Sequence, residues 1–229
     1  MLATGPNQLW SWDSTKLKGP RPWTYLYLSV ILDVFSHCVV GWMVMERKSA
    51  LLAEEFIAEP CQQEGIGPQQ LTLHADNGSS MTSKTVAQLL ADLGVTKTHS
   101  RPHVSNDKPY SEVQFKTTKY RPTFPDRFAS LDDARTWMPQ VVCWYNHEHC
   151  HSGIGMLPPA IVHRGQAGAA TAARQQVLLA AYAAHPERFG CGMPSPPRVP
   201  EAVWINRPRG PEDPPVTAAA GRNPALVYY

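Results

Sequence analysis

Along the first hundred residues the apolar positions alternate between two spacings. Residues 9 to 15 hold Trp10 and Trp12 at a period of two, and "WTYLYLSVILDV", 23 to 34, is dense in aromatic and β-branched residues before the turn-like "FSH". "CVVGWMVM", 38 to 45, reads as a third strand, close enough in sequence to pair antiparallel with the second. The spacing then changes: Leu51, Leu52, Glu55 and Phe56 fall on one helical face, with Ser49 as the N-cap. A short strand at 71 to 75, a helix from about Ser83 to Leu93 closed by Gly94, and a strand "VTKTH" at 95 to 99 complete the order βββαβαβ.

Helices follow. Residues 101 to 109 are polar and carry two prolines, which predicts a loop. Tyr110 to Tyr120 reads as a helix ending before Pro122, and 131 to 148 contains another, with Asp132 and Asp133 in its first turn and Pro139 bending or splitting it. Residues 169 to 184 are alanine-rich and predict a surface helix. Nine prolines between 186 and 215 predict an extended or disordered tail, pinned at Val203, Trp204 and Ile205. The expected division is a core over 1–165, a helical extension over 166–185 and a proline-rich, poorly ordered tail over 186–229.

Composition narrows the class. With 229 residues and 43% hydrophobic content the chain can bury a sizeable core. A formal charge of +2 makes any nucleic-acid surface a matter of local clustering. No apolar run has transmembrane length and the N-terminus does not read as a signal peptide, so the expectation is a cytoplasmic protein without a membrane partner. The five cysteines lack C-x-x-C spacing and read as free thiols.

The candidate chemistry lies in three acids. Asp13 is in the first of these strands, Asp76 follows the fourth within "HADNGSS", and Glu112 opens the helix after the proline loop, with thirty-five residues between the last two. A meander continued by βαβ places the first and fourth strands side by side, so Asp13 and Asp76 become neighbours, with Glu112 facing them from a helix. Clustered carboxylates repel unless cations sit among them, and oxygen ligands favour Mg²⁺ or Mn²⁺. Two such ions, about 3.5 to 4 Å apart, suit in-line displacement at phosphorus. Asp76 is then a ligand, Gly78 allows a sharp turn, and Asn77 and Ser79 contact a phosphate or cap the next helix.

"WSWDST", "YLYLSVILDVFSHCVVGW", "LTLHADNGSSMTS", "RPHVSNDKPYSEVQFKTTKYRP" and "WYNHEHCHSGIGMLPPA" together resemble the integrase-type catalytic core of bacterial insertion-sequence transposases, nearest to the second-frame protein of elements with two overlapping frames. The resemblance spans about residues 8 to 165. It implies an α/β, RNase H-like (retroviral integrase-like) fold with a mixed five-stranded sheet flanked by helices. It makes Asp13, Asp76 and Glu112 the triad holding two Mg²⁺ (or Mn²⁺), cutting DNA at element ends and joining a 3′-hydroxyl to target DNA. It also implies a homo-oligomer on DNA and an upstream-frame helix-turn-helix partner. Relatives carry an end-recognising segment upstream, whereas only twelve residues precede Asp13 here, so recognition is expected to come from a partner or from a longer chain.

Other residues have plainer readings beside the functional ones. Asp33 reads as a turn residue and His74 as a packed strand residue. Between 97 and 127, seven Lys or Arg face three acids; Lys116 and Lys119 share a helical stripe with Glu112, and the resemblance makes them DNA-end contacts, with Arg101 and His149 as further DNA contacts. "CWYNHEHCHSG" invites a zinc reading, but its spacing fits no standard finger, so Trp144 and Tyr145 read as core and His149 and His151 as packing or phosphate contacts. Val113, Thr118, Lys108 and His37 depart from residues common in relatives; none replaces a carboxylate. Two further readings stand beside the transposase: a truncated, non-catalytic DNA-binding or dimerising fragment, and a nuclease acting on RNA:DNA hybrids.

Overall fold

The structure, a computed structural model, describes residues 1–76, 78, 83–100 and 109–207. Five strands form one sheet: β2 (Leu9–Lys18), β3 (Tyr25–Asp33), β4 (Val39–Met45), β5 (Thr72–Ala75) and β6 (Thr96–His99), in the order β4-β3-β2-β5-β6. β2, β3 and β4 are an antiparallel meander, whereas β5 and β6 join parallel to β2. The parallel pairings require crossovers, supplied by α1 (Ala50–Gln63) and α2 (Lys84–Asp92). Ser49 and Ser83 cap these helices, accepting from the backbone N–H of Leu52 and Val86. Gly94, at φ +65°, ends the α2 region in the left-handed conformation that glycine adopts without steric cost.

Both faces of the sheet are covered, which explains why β3 reads as a nearly unbroken apolar run. On one face Trp10, Trp12, Ile31 and Leu73 pack under Phe56, Ile57, Val86 and Leu90 of α1 and α2. On the other, Leu17, Leu28, Val30 and Val44 pack under Phe115 of α3 (Pro109–Lys119) and Ala134, Met138 and Tyr145 of α4 (Leu131–His147). Of the bend or split expected at Pro139, the split does not occur: α4 runs unbroken through it, and Ala134 and Met138 before it and Val141 and Tyr145 after it are all buried. Near its C-terminus, Asn146 donates to the Val39 carbonyl and accepts from the Val39 N–H, both at 2.9 Å, replacing a neighbouring strand at the start of edge strand β4.

A third apolar cluster lies at the sheet end where β2 begins. It joins Leu9, Val34 and Phe35 to Ile154, Leu157 and Val162, the last in α5 (Pro159–His163). The proline-rich segment returns here: β7 (Val203–Trp204) pairs with β1 (Leu2–Ala3), and Val203 and Ile205 are buried. Trp204 pairs with Leu2, and its carbonyl accepts from the Tyr110 hydroxyl at 3.1 Å. The alanine-rich helix α6 (Ala167–Ala184) buries none of its residues, as a surface helix should.

Candidate active site

Asp13 and Asp76 emerge next to each other. β2 and β5 run parallel, and their last paired residues are Trp12 and Ala75, so the next residue of each strand is one of the two aspartates. Each carboxylate is oriented by its own loop: Asp13 accepts from the Ser14 N–H at 2.8 Å and Asp76 from the Gly78 N–H at 3.0 Å. β6 steadies the strand end, with Ser100 N–H donating to the Ala75 carbonyl at 2.9 Å and His99 Nδ1 3.2 Å from the Asp76 carbonyl oxygen. A side chain at position 78 would put its Cβ 2.8 Å from Asp76 Oδ1, so glycine lets the backbone come this close while the acid keeps its orientation.

Both aspartates line a cleft together with Ser14, Ser29, Lys48, Phe56 and Gly78. Ser14 and Ser29, opposed on β2 and β3, bond through their hydroxyls at 2.8 Å. This hydroxyl pair braces the cleft across two strands, beside the apolar side chains of Trp12, Met45 and Ala53.

α3 lies along β2 on the opposite sheet face. Ser111 meets Ser11 at 2.8 Å at one end of the contact, and Lys119 Nζ donates to Thr15 Oγ1 at 2.6 Å and to the Lys16 carbonyl at 3.1 Å at the other. Ser111, Gln114, Phe115 and Thr118 form the buried stripe. Glu112 stands one position off that stripe and is exposed, as is Lys116. The structure thus brings Asp13 and Asp76 together and puts Glu112 beside the α3–β2 contact, outside the residues lining the cleft. Among the described residues no group of three His, Cys, Asp or Glu side chains is arranged to hold a metal ion. Lys119 is half-buried and ties α3 to β2; burial lowers its pKa. Asn77, Ser79 and Arg101 lie outside the described residues.

His149 sits in a cluster of rings, 4.8 Å from Trp144, 5.9 Å from Tyr145 and 4.4 Å from His151 between centroids. Tyr145 is core, while half-buried Trp144 carries the Arg121 guanidinium 4.3 Å from its ring centre. His37 joins His151 at 5.6 Å and Tyr110 at 5.3 Å. Burial lowers the pKa of His149, lowers that of His37 to about 4 against the pull of Asp33, and lowers that of His151 to about 3, where His149 and His37 add to the effect. This is a neutral packing cluster at ordinary pH. His74 is buried on β5, its Nδ1 3.0 Å from Thr98 Oγ1.

Asp33 is a turn residue and more. One oxygen accepts from the Asn7 N–H at 2.7 Å; the other accepts from the Ser36 N–H at 2.7 Å and from the Ser36 hydroxyl at 2.6 Å. That hydroxyl lies 2.9 Å from His163 Nδ1, and His163 Nε2 lies 2.9 Å from Glu64 Oε2. Burial alone would lower the His163 pKa, but hydrogen bonds and charges from Asp33 and Glu64 outweigh it and the net shift is upward. Sequence reading missed this network, because Ser36 and His163 are 127 residues apart; "FSH" marked only the turn.

No helix among the described residues is long and apolar enough to cross a membrane. Two family models, each described as an integrase core domain, match residues 3–105 and 93–159. The transposase for insertion sequence element IS904 of Lactococcus lactis subsp. lactis (strain IL1403) is 30% identical over 158 residues, which cover 69% of this chain and 61% of that protein. Transposase InsF for insertion sequence IS3A of Escherichia coli (strain K12) is 29% identical over 158 residues, covering 69% of this chain and 54% of its own length. The chain therefore spans somewhat over half the length of these curated relatives. Among solved structures, a chain of the simian T-cell lymphotropic virus intasome in complex with PP2A regulatory subunit B56 gamma aligns with a TM-score of 0.55 at 18% identity, covering 70% of this chain and 55% of that one. The HTLV-2 integrase catalytic core domain in complex with magnesium (trimeric form) aligns with a TM-score of 0.50 at 16% identity, covering 69% of this chain and 97% of that one. These likenesses identify the sheet as RNase H-like, of the retroviral integrase kind. The two family models overlap and together run from β1 into α5, so this region of the chain is an integrase core domain, similar to the cores of insertion-sequence transposases.

Proposed function

We propose that this chain is the catalytic core of a DNA transposase, cleaving DNA at element ends and joining a 3′-hydroxyl to target DNA with the help of Mg²⁺ or Mn²⁺. The observation that carries the reading is the emergence of Asp13 and Asp76 side by side from adjacent parallel strands, in an integrase core domain. The donor set fits hard cations: two carboxylates line one cleft, and the glycine at 78 keeps the space against Asp76 Oδ1 free of a Cβ. In this reading Glu112, next to the Ser111–Ser11 bond, is the third donor, and two ions are held. When bound, the cations supply positive charge to the attacking and leaving oxygens of the displacement.

The chain's own residues do the remaining work. The Ser14 and Gly78 N–H groups hold the two acids in fixed orientations, so that little reorganisation accompanies the reaction. Lys48 brings a cation to the cleft and Lys116 an exposed one to α3, both suited to phosphate positioning without sequence specificity. Asn77, Ser79, Arg101 and His149 are further proposed DNA contacts. The catalytic unit is residues 1–165, with 166–185 as a helical extension and 186–229 as a tail; the working form is a homo-oligomer on DNA, with a helix-turn-helix protein from the upstream frame as a partner.

The second reading is a non-catalytic DNA-binding or dimerising fragment, with Glu112 exposed on α3. Strand joining decides between them. Purified protein, Mg²⁺ or Mn²⁺ and a labelled oligonucleotide carrying the element's end should give joined products, and Asp76→Asn should reduce them to background while the thermal midpoint is maintained. Joining by a folded Asp76→Asn protein at the wild-type rate would refute the site; DNA binding without joining by the wild type would favour the fragment.

A further inference from the structure

The β2–β3 ribbon extends beyond the cleft. β5 stops beside Trp12, but β2 continues paired with β3 for five residues past Asp13, to Lys18, a distance of about 17 Å at the usual rise per strand residue. Its tip, 19 to 24, carries Trp23, which is 86% exposed and has the left-handed backbone conformation (φ +67°) that large side chains rarely adopt. Strain of this kind, held in place by its surroundings, points to a function at the site that keeps it.

The surroundings do hold it. Gly19 N–H donates to the Thr24 carbonyl at 2.9 Å, Thr24 N–H to the Arg21 carbonyl at 3.1 Å, and the Thr24 hydroxyl to the same carbonyl at 2.7 Å. From outside the hairpin, the Arg127 guanidinium donates to the carbonyls of Gly19 and Arg21 at 3.3 and 3.2 Å, and Phe128 N–H donates to the Lys18 carbonyl at 3.0 Å. At position 19 a Cβ would stand 2.6 Å from Thr24 Oγ1. A turn braced in this way, ending in an indole directed at solvent, does not serve the core.

Its neighbours give the partner's chemistry. Arg21 is exposed at the tip, Lys16 is exposed on the ribbon with its ammonium 5.1 Å from the centre of the Tyr25 ring, and Lys18 pairs with Asp126 at 2.7 Å in a solvent-exposed contact of little strength. Cations along a ribbon that leads from the acid pair to an exposed aromatic ring are the elements of a single-strand binding track, in which phosphates follow the charges and a base stacks on the ring. We propose that Trp23 stacks on an unpaired base of the DNA strand leaving the cleft, with Arg21 and Lys16 contacting its phosphates. This rests on the transposase reading of the cleft. At about 3.4 Å per stacked nucleotide the ribbon from Asp13 to Lys18 spans about five nucleotides, and Trp23 stands beyond its end.

The test measures binding of the full chain, by fluorescence anisotropy, to a blunt duplex and to the same duplex carrying an unpaired tail of about eight nucleotides. The wild type should prefer the tailed DNA. Trp23→Ala should weaken tailed binding about tenfold and blunt binding less than twofold, at an unchanged thermal midpoint, and Trp23→Phe should restore most of the loss. No wild-type preference for the tail, or equal losses on both DNAs, would overturn the proposal. So would a Trp23→Ala effect confined to self-association in sedimentation, which would assign the ring to a second copy of the chain. Asp76→Asn, measured in parallel, should keep the tail preference and lose strand joining; joining that survives in it refutes the cleft reading, whereas the tail preference alone judges the hairpin.

Discussion

At one end of the sheet Asp33 and Glu64 close around His163; at the other, Asp13 and Asp76 open on a cleft. Asp33 is fully buried and receives three hydrogen bonds from Asn7 and Ser36, with His163 Nδ1 3.8 Å away. Its acceptor capacity is used within the fold, and the charge it shares with Glu64 is balanced by an imidazole whose protonated form is favoured. Asp13 and Asp76 are partly exposed, line a cleft, and are oriented by N–H groups one and two residues along the chain. The two kinds of acid differ in what meets them: a carboxylate enclosed by donors fixes a turn, and one at a strand end is presented to a cleft.

The comparison can be broken first at the buried end. Asp33→Ala strips a partner from His163, Ser36 and the Asn7 N–H at once, and should cost about 3 kcal/mol in urea unfolding. Asp76→Asn should leave that stability within about 0.5 kcal/mol of wild type. Equal costs at the two positions would erase the distinction.

The pH profile is the next lever. His163 has a folded pKa raised above the ordinary value of 6.5, so its contribution is fully present below 6.5 and is lost as pH rises through the raised value. His37 and His151 act in the opposite direction: their folded values of about 4 and about 3 mean that the unfolded chain takes up protons below 6.5 that the folded chain refuses. Stability measured across pH 4.5 to 9 should therefore fall on both sides of a maximum near 6.5, and a profile rising steadily toward pH 9 would contradict the His163 assignment. Smallest is Glu64→Gln. Glu64 is partly exposed, so the change should cost about 1 kcal/mol at pH 6 and less as pH rises through the raised His163 value; a pH-independent cost would show that charge is not what Glu64 contributes.

Most of the sheet could be read from spacing. A period of two in β2, the apolar density of β3 and β4 and the helical face of α1 each reflect a burial pattern repeated over several residues, and the βββαβαβ order then places β5 against β2. That topology alone makes Asp13 and Asp76 neighbours, as the β2–β5 pairing has them. β1 and α5 were not legible, being two and five residues long, too short to display a period, and of β7 only the anchor at Val203, Trp204 and Ile205 could be read. The rotation of α3 was not legible either: Ser111, Gln114, Phe115 and Thr118 take the buried stripe, which leaves Glu112 exposed and gives Lys119 to Thr15. Nor was the role of Asn146, whose amide pairs with a backbone 107 residues away. Contacts at such separations leave no local pattern; they depend on how finished elements meet.

In the proposed reading the Asp13–Asp76 pair takes a divalent cation and the acids around His163 do not. Calorimetric titration of the full chain with Mn²⁺ tests this, using wild type, Asp13→Asn, Asp76→Asn and Glu64→Gln. Saturable binding is expected in the wild type and in Glu64→Gln, lost or weakened at least tenfold in each aspartate variant. Binding that persists undiminished in Asp13→Asn and Asp76→Asn, or that disappears only in Glu64→Gln, would contradict it.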